Sequence, residues 1–125
     1  MGIGRLRTVV VDCLDPAPLA GFWAEVLGAE VAYADEEWVS LTAAGSGHPR
    51  VAFQKVPEPK VGKTRIHLDV WVPDIEAATV AAEALGATRV GGLVPVEGSP
   101  EPFQVMTDPA GNEFCFVHIP GSTGP

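Results

Sequence analysis

His67, Asp69 and Trp71 occupy alternate positions in the stretch Lys63-Thr-Arg-Ile-His-Leu-Asp-Val-Trp-Val72. Successive residues of a strand face opposite sides, so these three share a face with Arg65, while Ile66, Leu68, Val70 and Val72 share the other. A wet strand face ordinarily carries Thr, Lys or Ser. An imidazole, a carboxylate and an indole side by side fit the lining of a cavity, against the plainer reading of a solvated edge. A positioned histidine can act as a general base near neutral pH, worth about 10²–10⁴-fold in rate, and an indole can stack on a flat or cationic ligand. Strand rise sets His67 and Asp69 roughly 6–7 Å apart, so Asp69 is expected to bias the charge of His67 rather than bond to it. The competing reading of His67 is a hydrogen-bonded core histidine.

Other stretches must position these residues. Residues 6–14 alternate as a strand, with Val9, Val11 and Cys13 on an apolar face and Thr8, Val10 and Asp12 opposite. Asp15-Pro16 then opens a helix, the acid at the N-cap and the proline at the first helical position. Leu19, Phe22, Trp23, Val26 and Leu27 recur at helical spacing, and Gly28 is the expected stop. Residues 29–34 and 38–42 read as a hairpin, 43–50 as a loop and 51–56 as a fourth strand carrying Gln54. Residues 57–63 form a linker with two prolines and a glycine. After the 63–72 strand, Pro73-Asp74 opens a second helix that stops at Gly86. Residues 88–90 make a short strand and 91–102 a long loop, the candidate for a mobile lid. Strands 103–107 and 113–118 flank the turn Asp108-Pro-Ala-Gly-Asn112, and 120–125 is a loose tail.

The chain has 125 residues, enough for one core, and its 46% apolar content is that of a folded protein. No apolar run approaches the ~20 residues of a membrane span, and the start lacks a secretion signal, so a cytoplasmic protein is expected. A net charge of −8 repels phosphate backbones and argues against nucleic acid. Cys13 and Cys115 belong to opposite kinds of face, which argues against a disulfide between them.

The order strand, helix, three strands occurs twice. Ala24-Glu-Val-Leu-Gly-Ala29 matches Ala82-Glu-Ala-Leu-Gly-Ala87 at a spacing of 58, and Asp15 matches Asp74 at 59. Carried into the strands, the repeat sets Thr8 against His67 and Gln54 against Cys115. The expected fold is α+β: two βαβββ modules (5–56 and 64–119) in a single domain spanning 1–125. Their mixed sheet is expected to curve into a cup, with the helices on its convex side.

These paired modules, with Phe-Trp and Leu-Gly in the first helix, His-Leu-Asp-Val in the fifth strand and Asp-Pro-Ala-Gly-Asn-Glu-Phe before the last, resemble the vicinal oxygen chelate superfamily. This is the fold of glyoxalases, bleomycin-resistance proteins and extradiol dioxygenases, and the likeness is to its small glyoxalase-like members. Metal-dependent members hold a divalent ion with His, Glu, His and Glu from the first, fourth, fifth and eighth strands. By resemblance those slots are Thr8, Gln54, His67 and Cys115, of which only His67 keeps the usual type. One His and one Cys fall short of the three protein ligands of a catalytic zinc. No metal ligand set is therefore assigned, and a divalent ion stays open as the alternative.

The resemblance then implies a small organic ligand held in the cup between the modules. His67 and Glu113 are the candidate catalytic residues, and Thr8, Asp12, Gln54, Asp69, Trp71 and Cys115 the candidate ligand contacts. Drug-sequestering relatives work this way and are acidic because their drugs are basic. The alternatives are a metal-dependent lyase, isomerase or dioxygenase, and a non-catalytic interaction module. A homodimer is expected, as in many relatives. His48 reads as loop, His118 as surface and Trp23 as core.

Overall fold

The computed structural model describes residues 2–99 and 101–118. The chain divides into two compact units, Met1–Lys60 and Val61–Pro125. Each is a βαβββ module with one helix against a four-stranded mixed sheet, so the fold is α+β. The expected tail lies outside the described residues.

In the first module, β1 (Thr8–Cys13) leads to α1 (Pro16–Leu27), then β2 (Val31–Ala34), β3 (Trp38–Leu41) and β4 (Arg50–Lys55). The sheet order is β1-β4-β3-β2, with β1 parallel to β4 and the other pairs antiparallel. Asp15 is the N-cap of α1, but its side chain caps no backbone N–H; Pro16 holds the first turn. Gly28 closes the helix with φ 63°, a left-handed conformation that a Cβ would strain. The helix buries Leu19, Ala20, Phe22 and Trp23, and packs on β3 and β4, where Val39, Leu41 and Phe53 are fully buried. The turn before β3 is tied by Asp35, whose carboxylate accepts from the backbone N–H of Glu37 (2.8 Å) and Trp38 (2.9 Å). The Tyr33 hydroxyl also donates to it, which holds the Asp35 carboxyl below the usual carboxylate range.

The second module repeats the plan: β5 (Leu68–Trp71), α2 (Ile75–Ala84), β6 (Thr88–Val94), β7 (Phe103–Thr107) and β8 (Glu113–Val117), in the order β5-β8-β7-β6. Asp74 caps α2, its carboxylate accepting from the Ala77 N–H at 3.0 Å. The small residues Thr79 and Ala82 are the buried positions of this helix. They let it lie close over Met106, Phe114 and Phe116, each at most 2% exposed. The Phe114 and Phe116 rings meet edge to face at 5.3 Å, the arrangement that aromatic quadrupoles favour.

Two elements differ from the sequence reading. β5 begins at Leu68, five residues later than expected, because residues 61–67 make a bent approach to the sheet. β6 runs on to Val94, where a loop was expected from Gly91. Its ladder with β7 shifts register between Val90 and Val94 and so absorbs Gly91 and Gly92 in a bulge. The fully buried amide of Gln104 fixes that bulge. Its Nε2 donates to the carbonyls of Gly91 (3.1 Å) and Val90 (3.4 Å), besides that of Val105 (2.9 Å). The proposed lid is thereby shortened to the residues after Val94.

Candidate functional site

The helix-facing side of each sheet is apolar, so the chemistry gathers on the opposite side. In the second module β5 and β8 run parallel with Asp69 paired to Cys115 and Trp71 to Val117. Alternation puts all four on the side away from Phe114 and Phe116. Glu113 shares it, two residues before Cys115.

His67 stands just outside β5, and this changes its relation to Asp69. Its Nε2 lies 3.2 Å from Asp69 Oδ1, in direct contact, with side chains 56% and 58% exposed. The expectation of charge bias without contact is therefore corrected. It assumed regular strand geometry from residue 63 onwards, whereas the bend before Leu68 swings the imidazole back onto the carboxylate. The bend is itself tethered: Glu113 Oε2 accepts from the backbone N–H of Thr64 (2.7 Å) and from its hydroxyl (2.6 Å). Glu113 thus anchors the segment that delivers His67.

Cys115 is buried and reduced. Burial and then the Asp69 carboxylate push its thiol above the usual range, while the Lys63 ammonium opposes them. With its pKa raised, the thiol stays protonated at neutral pH. Alkylation of Cys115 in the native protein should accordingly accelerate only at a pH higher than a free thiol requires. Asp69→Asn should move that profile to lower pH, because one of the two raising causes is gone. Mass spectrometry of Cys115 after timed iodoacetamide exposure over a pH series reads this; an unmoved profile in Asp69→Asn would deny the coupling.

Trp71 and His118 form the other end of this face. Their rings lie 5.6 Å apart at 38°, and His118 Nδ1 is 2.9 Å from the Val72 carbonyl. His118, expected at the surface, is thus half-buried against the indole. Trp71 Nε1 is the sole buried side-chain polar atom without a hydrogen-bond partner among the described residues. His118 also borders an open hollow of about 340 Å³, whose rim carries Asp74, Glu76 and Glu101 beside Leu93 and Ile75. Neither His118 nor this rim was singled out from sequence. The tail-end position of His118 concealed it, since only the β8 ladder brings it beside Trp71.

In the first module the register places Asp12, Gln54 and Trp38 in one cross-strand row. Asp12 and Gln54 are exposed and Trp38 is half-buried. Thr8 lies four residue pairs along on the same face, opposite Arg50. The two N-caps, Asp15 and Asp74, fix the equivalence of the modules. On that equivalence Asp69 corresponds to Val10, whose partner is Ala52, so Cys115 corresponds to Ala52 rather than to Gln54. The sequence match slipped by two residues, a slip that leaves every side chain on its own face and so goes unseen in an alternation pattern. The four-residue ligand set of the metal-dependent relatives therefore does not fit this chain. Thr8 and Gln54 carry no charge, and Gln54 is out of register with the slot it was matched to.

A family model described as glyoxalase-like domain matches residues 8–117. Comparison with curated proteins gives no match. Among solved structures, a glyoxalase/bleomycin resistance protein/dioxygenase family enzyme from Burkholderia phytofirmans superposes with a TM-score of 0.77 at 17% identity, covering 93% of this chain and 99% of that one. A glyoxalase-related enzyme from Fulvimarina pelagi gives 0.74 at 15% identity, covering 98% and 96%. The bleomycin-binding protein of Streptomyces verticillus, complexed with copper(II)-bleomycin, gives 0.61 at 21% identity, covering 94% and 98%. At these identities the likeness is one of fold. Among the described residues no helix is long and apolar enough to cross a membrane.

Proposed function

Since the chain belongs to the glyoxalase-like domain family of the vicinal oxygen chelate superfamily, we propose that it binds a small organic molecule against the mixed faces of its sheets, without the ligand set of its metal-dependent relatives. The observation that carries this reading is the buried indole N–H of Trp71, which has no hydrogen-bond partner and shares its sheet face with Asp69. Buried donors are nearly always satisfied, and each orphan calls for a reason. A ligand acceptor supplies one. His67, held by Asp69, offers a second polar contact at the edge of the same face. The net charge of −8 favours a ligand with a cationic group.

In this reading Trp71 donates to the ligand and supplies an aromatic face, and His67 binds or exchanges a proton with it. Glu113 holds the His67 segment in place.

A thermal-shift screen of small aromatic amines and other cationic compounds tests this. Stabilising compounds are expected with the natural sequence. Trp71→Phe should leave the unliganded protein as stable or slightly more so, because the orphan donor is gone, yet weaken binding of the best compound about tenfold, or 1.4 kcal/mol. His67→Ala should weaken it by a similar factor. Compounds bound equally by all three proteins would place the ligand elsewhere and sink the reading.

A further inference from the structure

We propose that the second module selects ligands of one chemical class, planar aromatic amines, whose ring slots between Trp71 and Phe103 while the ammonium group lies on Asp69. This rests on the small-molecule reading above and adds to it the ligand's class, its orientation and the role of Phe103. The placement follows from sheet register. Gln104 pairs with Phe116 on the helix side, so Phe103 stands on the opposite face beside Val117, and Val117 pairs with Trp71. One row across the sheet therefore reads Trp71, Val117, Phe103, all half-buried. Neighbouring strands lie about 4.8 Å apart, which sets the two aromatic residues about 9.6 Å apart at the backbone with Val117 as the floor between them. A flat ring in contact on both sides needs about 7–8 Å, a gap the two side chains reach by leaning slightly inward. The slot is not closed by the rings themselves: Phe103 makes no ring contact among the described residues, and the indole rests instead against His118 on β8.

The next row fixes the other end of the ligand. It reads Asp69, Cys115, Val105, so one carboxylate borders a small, otherwise uncharged surface. Asp69 Oδ1 touches His67, which leaves Oδ2 for an incoming donor. The Asp69 charge acts on the Cys115 thiol more strongly than the Lys63 ammonium does, so the field over this row is negative and suits a cation. Asp69 and Trp71 are two residues apart along the strand, about 6.6 Å. A spacer of two or three carbons between ring and nitrogen spans that distance. The buried indole N–H of Trp71 lacks an acceptor, and an oxygen on the ligand ring supplies one. The rings thus discriminate by shape, the carboxylate by charge, and the row spacing by length.

Calorimetric titration of the full chain with 4-methoxyphenyl alkylamines bearing one to four spacer carbons tests it. Affinity should peak at two or three carbons. Replacing the ring of the best amine by cyclohexyl should cost about tenfold, and Phe103→Leu, which keeps an apolar side chain, should cut that preference to about threefold or less. Asp69→Asn should weaken the amine roughly threefold, the scale of an exposed charge pair, and leave the matching alcohol unchanged. Val80→Ser, at an exposed apolar position of α2 on the other side of the sheet, should alter neither preference. Each readout compares two ligands on one variant, so a loss of stability does not mimic it, and circular dichroism checks that each variant is folded. A ring preference unchanged in Phe103→Leu, or amine and alcohol weakened alike in Asp69→Asn, while Trp71→Phe still weakens binding, would overturn this placement and leave the small-molecule reading standing. Amines that fail to bind at millimolar concentration, where other small molecules do bind, would overturn the ligand class alone. A chain that binds no compound of either kind would sink both.

Discussion

Phe114→Ala should lower the free energy of unfolding by about 3–5 kcal/mol, the range for truncating a buried phenylalanine. The side chain is 1% exposed, stacked edge-on against Phe116 and paired across the sheet with Met106, under α2. Met106, Phe116 and Thr79 are buried to a similar degree, so water does not reach the resulting void. Such a loss is a large share of the roughly 5–15 kcal/mol that holds a domain together. Phe114→Leu keeps most of the volume and should cost about 1.5 kcal/mol or less. Urea unfolding followed by circular dichroism measures both, and a loss below 1 kcal/mol for alanine would mean that this core is not closed as described. The neighbouring Cys115 depends on the same packing, because Phe114 pins one face of β8 and Cys115 projects from the other.

Asp108→Ala should cost about 2–4 kcal/mol, because it strands several donors that are partly buried. The Asp108 carboxylate, in a residue 4% exposed, accepts from the backbone N–H of Ala110 (2.9 Å) and Asn112 (3.0 Å) and from the Asn112 side-chain amide. Gly111, at φ 86°, donates its N–H to the Asp108 carbonyl and lets the chain reverse. The turn sets where β8 begins, and with it the register that pairs Asp69 with Cys115. Asp108→Asn retains an acceptor oxygen and should lose less than half as much. Asp108→Ala should also diminish whatever ligand binding Asp69 and Cys115 support, measured at a temperature where the variant is still folded. Unchanged stability would show that the turn is held by its backbone alone.

Much of the scaffold was written in local patterns. The acids before each helix, Gly28 after the first, and the Asp-Pro-Ala-Gly-Asn turn are readable because caps and turns are decided within four or five residues. The sides of β1, β5 and β8 were legible for a similar reason: alternation survives any error in where a strand starts. That same tolerance hid the slip that set Cys115 against Gln54. The end of β6 was misread because Gly91 is a stop signal locally, while the Gln104 amide and the β7 ladder override it from more than ten residues away.

Sequence by itself determined the two βαβββ modules, their caps and turns, and which residues share the non-apolar sheet faces, since each follows from short-range sterics, hydrogen bonding and side-chain periodicity. Only the tertiary structure decided that His67 touches Asp69, that both come within reach of Cys115, that Glu113 tethers Thr64, and that His118 lies on Trp71. Those contacts depend on ladder register and on a bend outside the strand. Long-range hydrogen bonds and packing fix both, and no local rule encodes them.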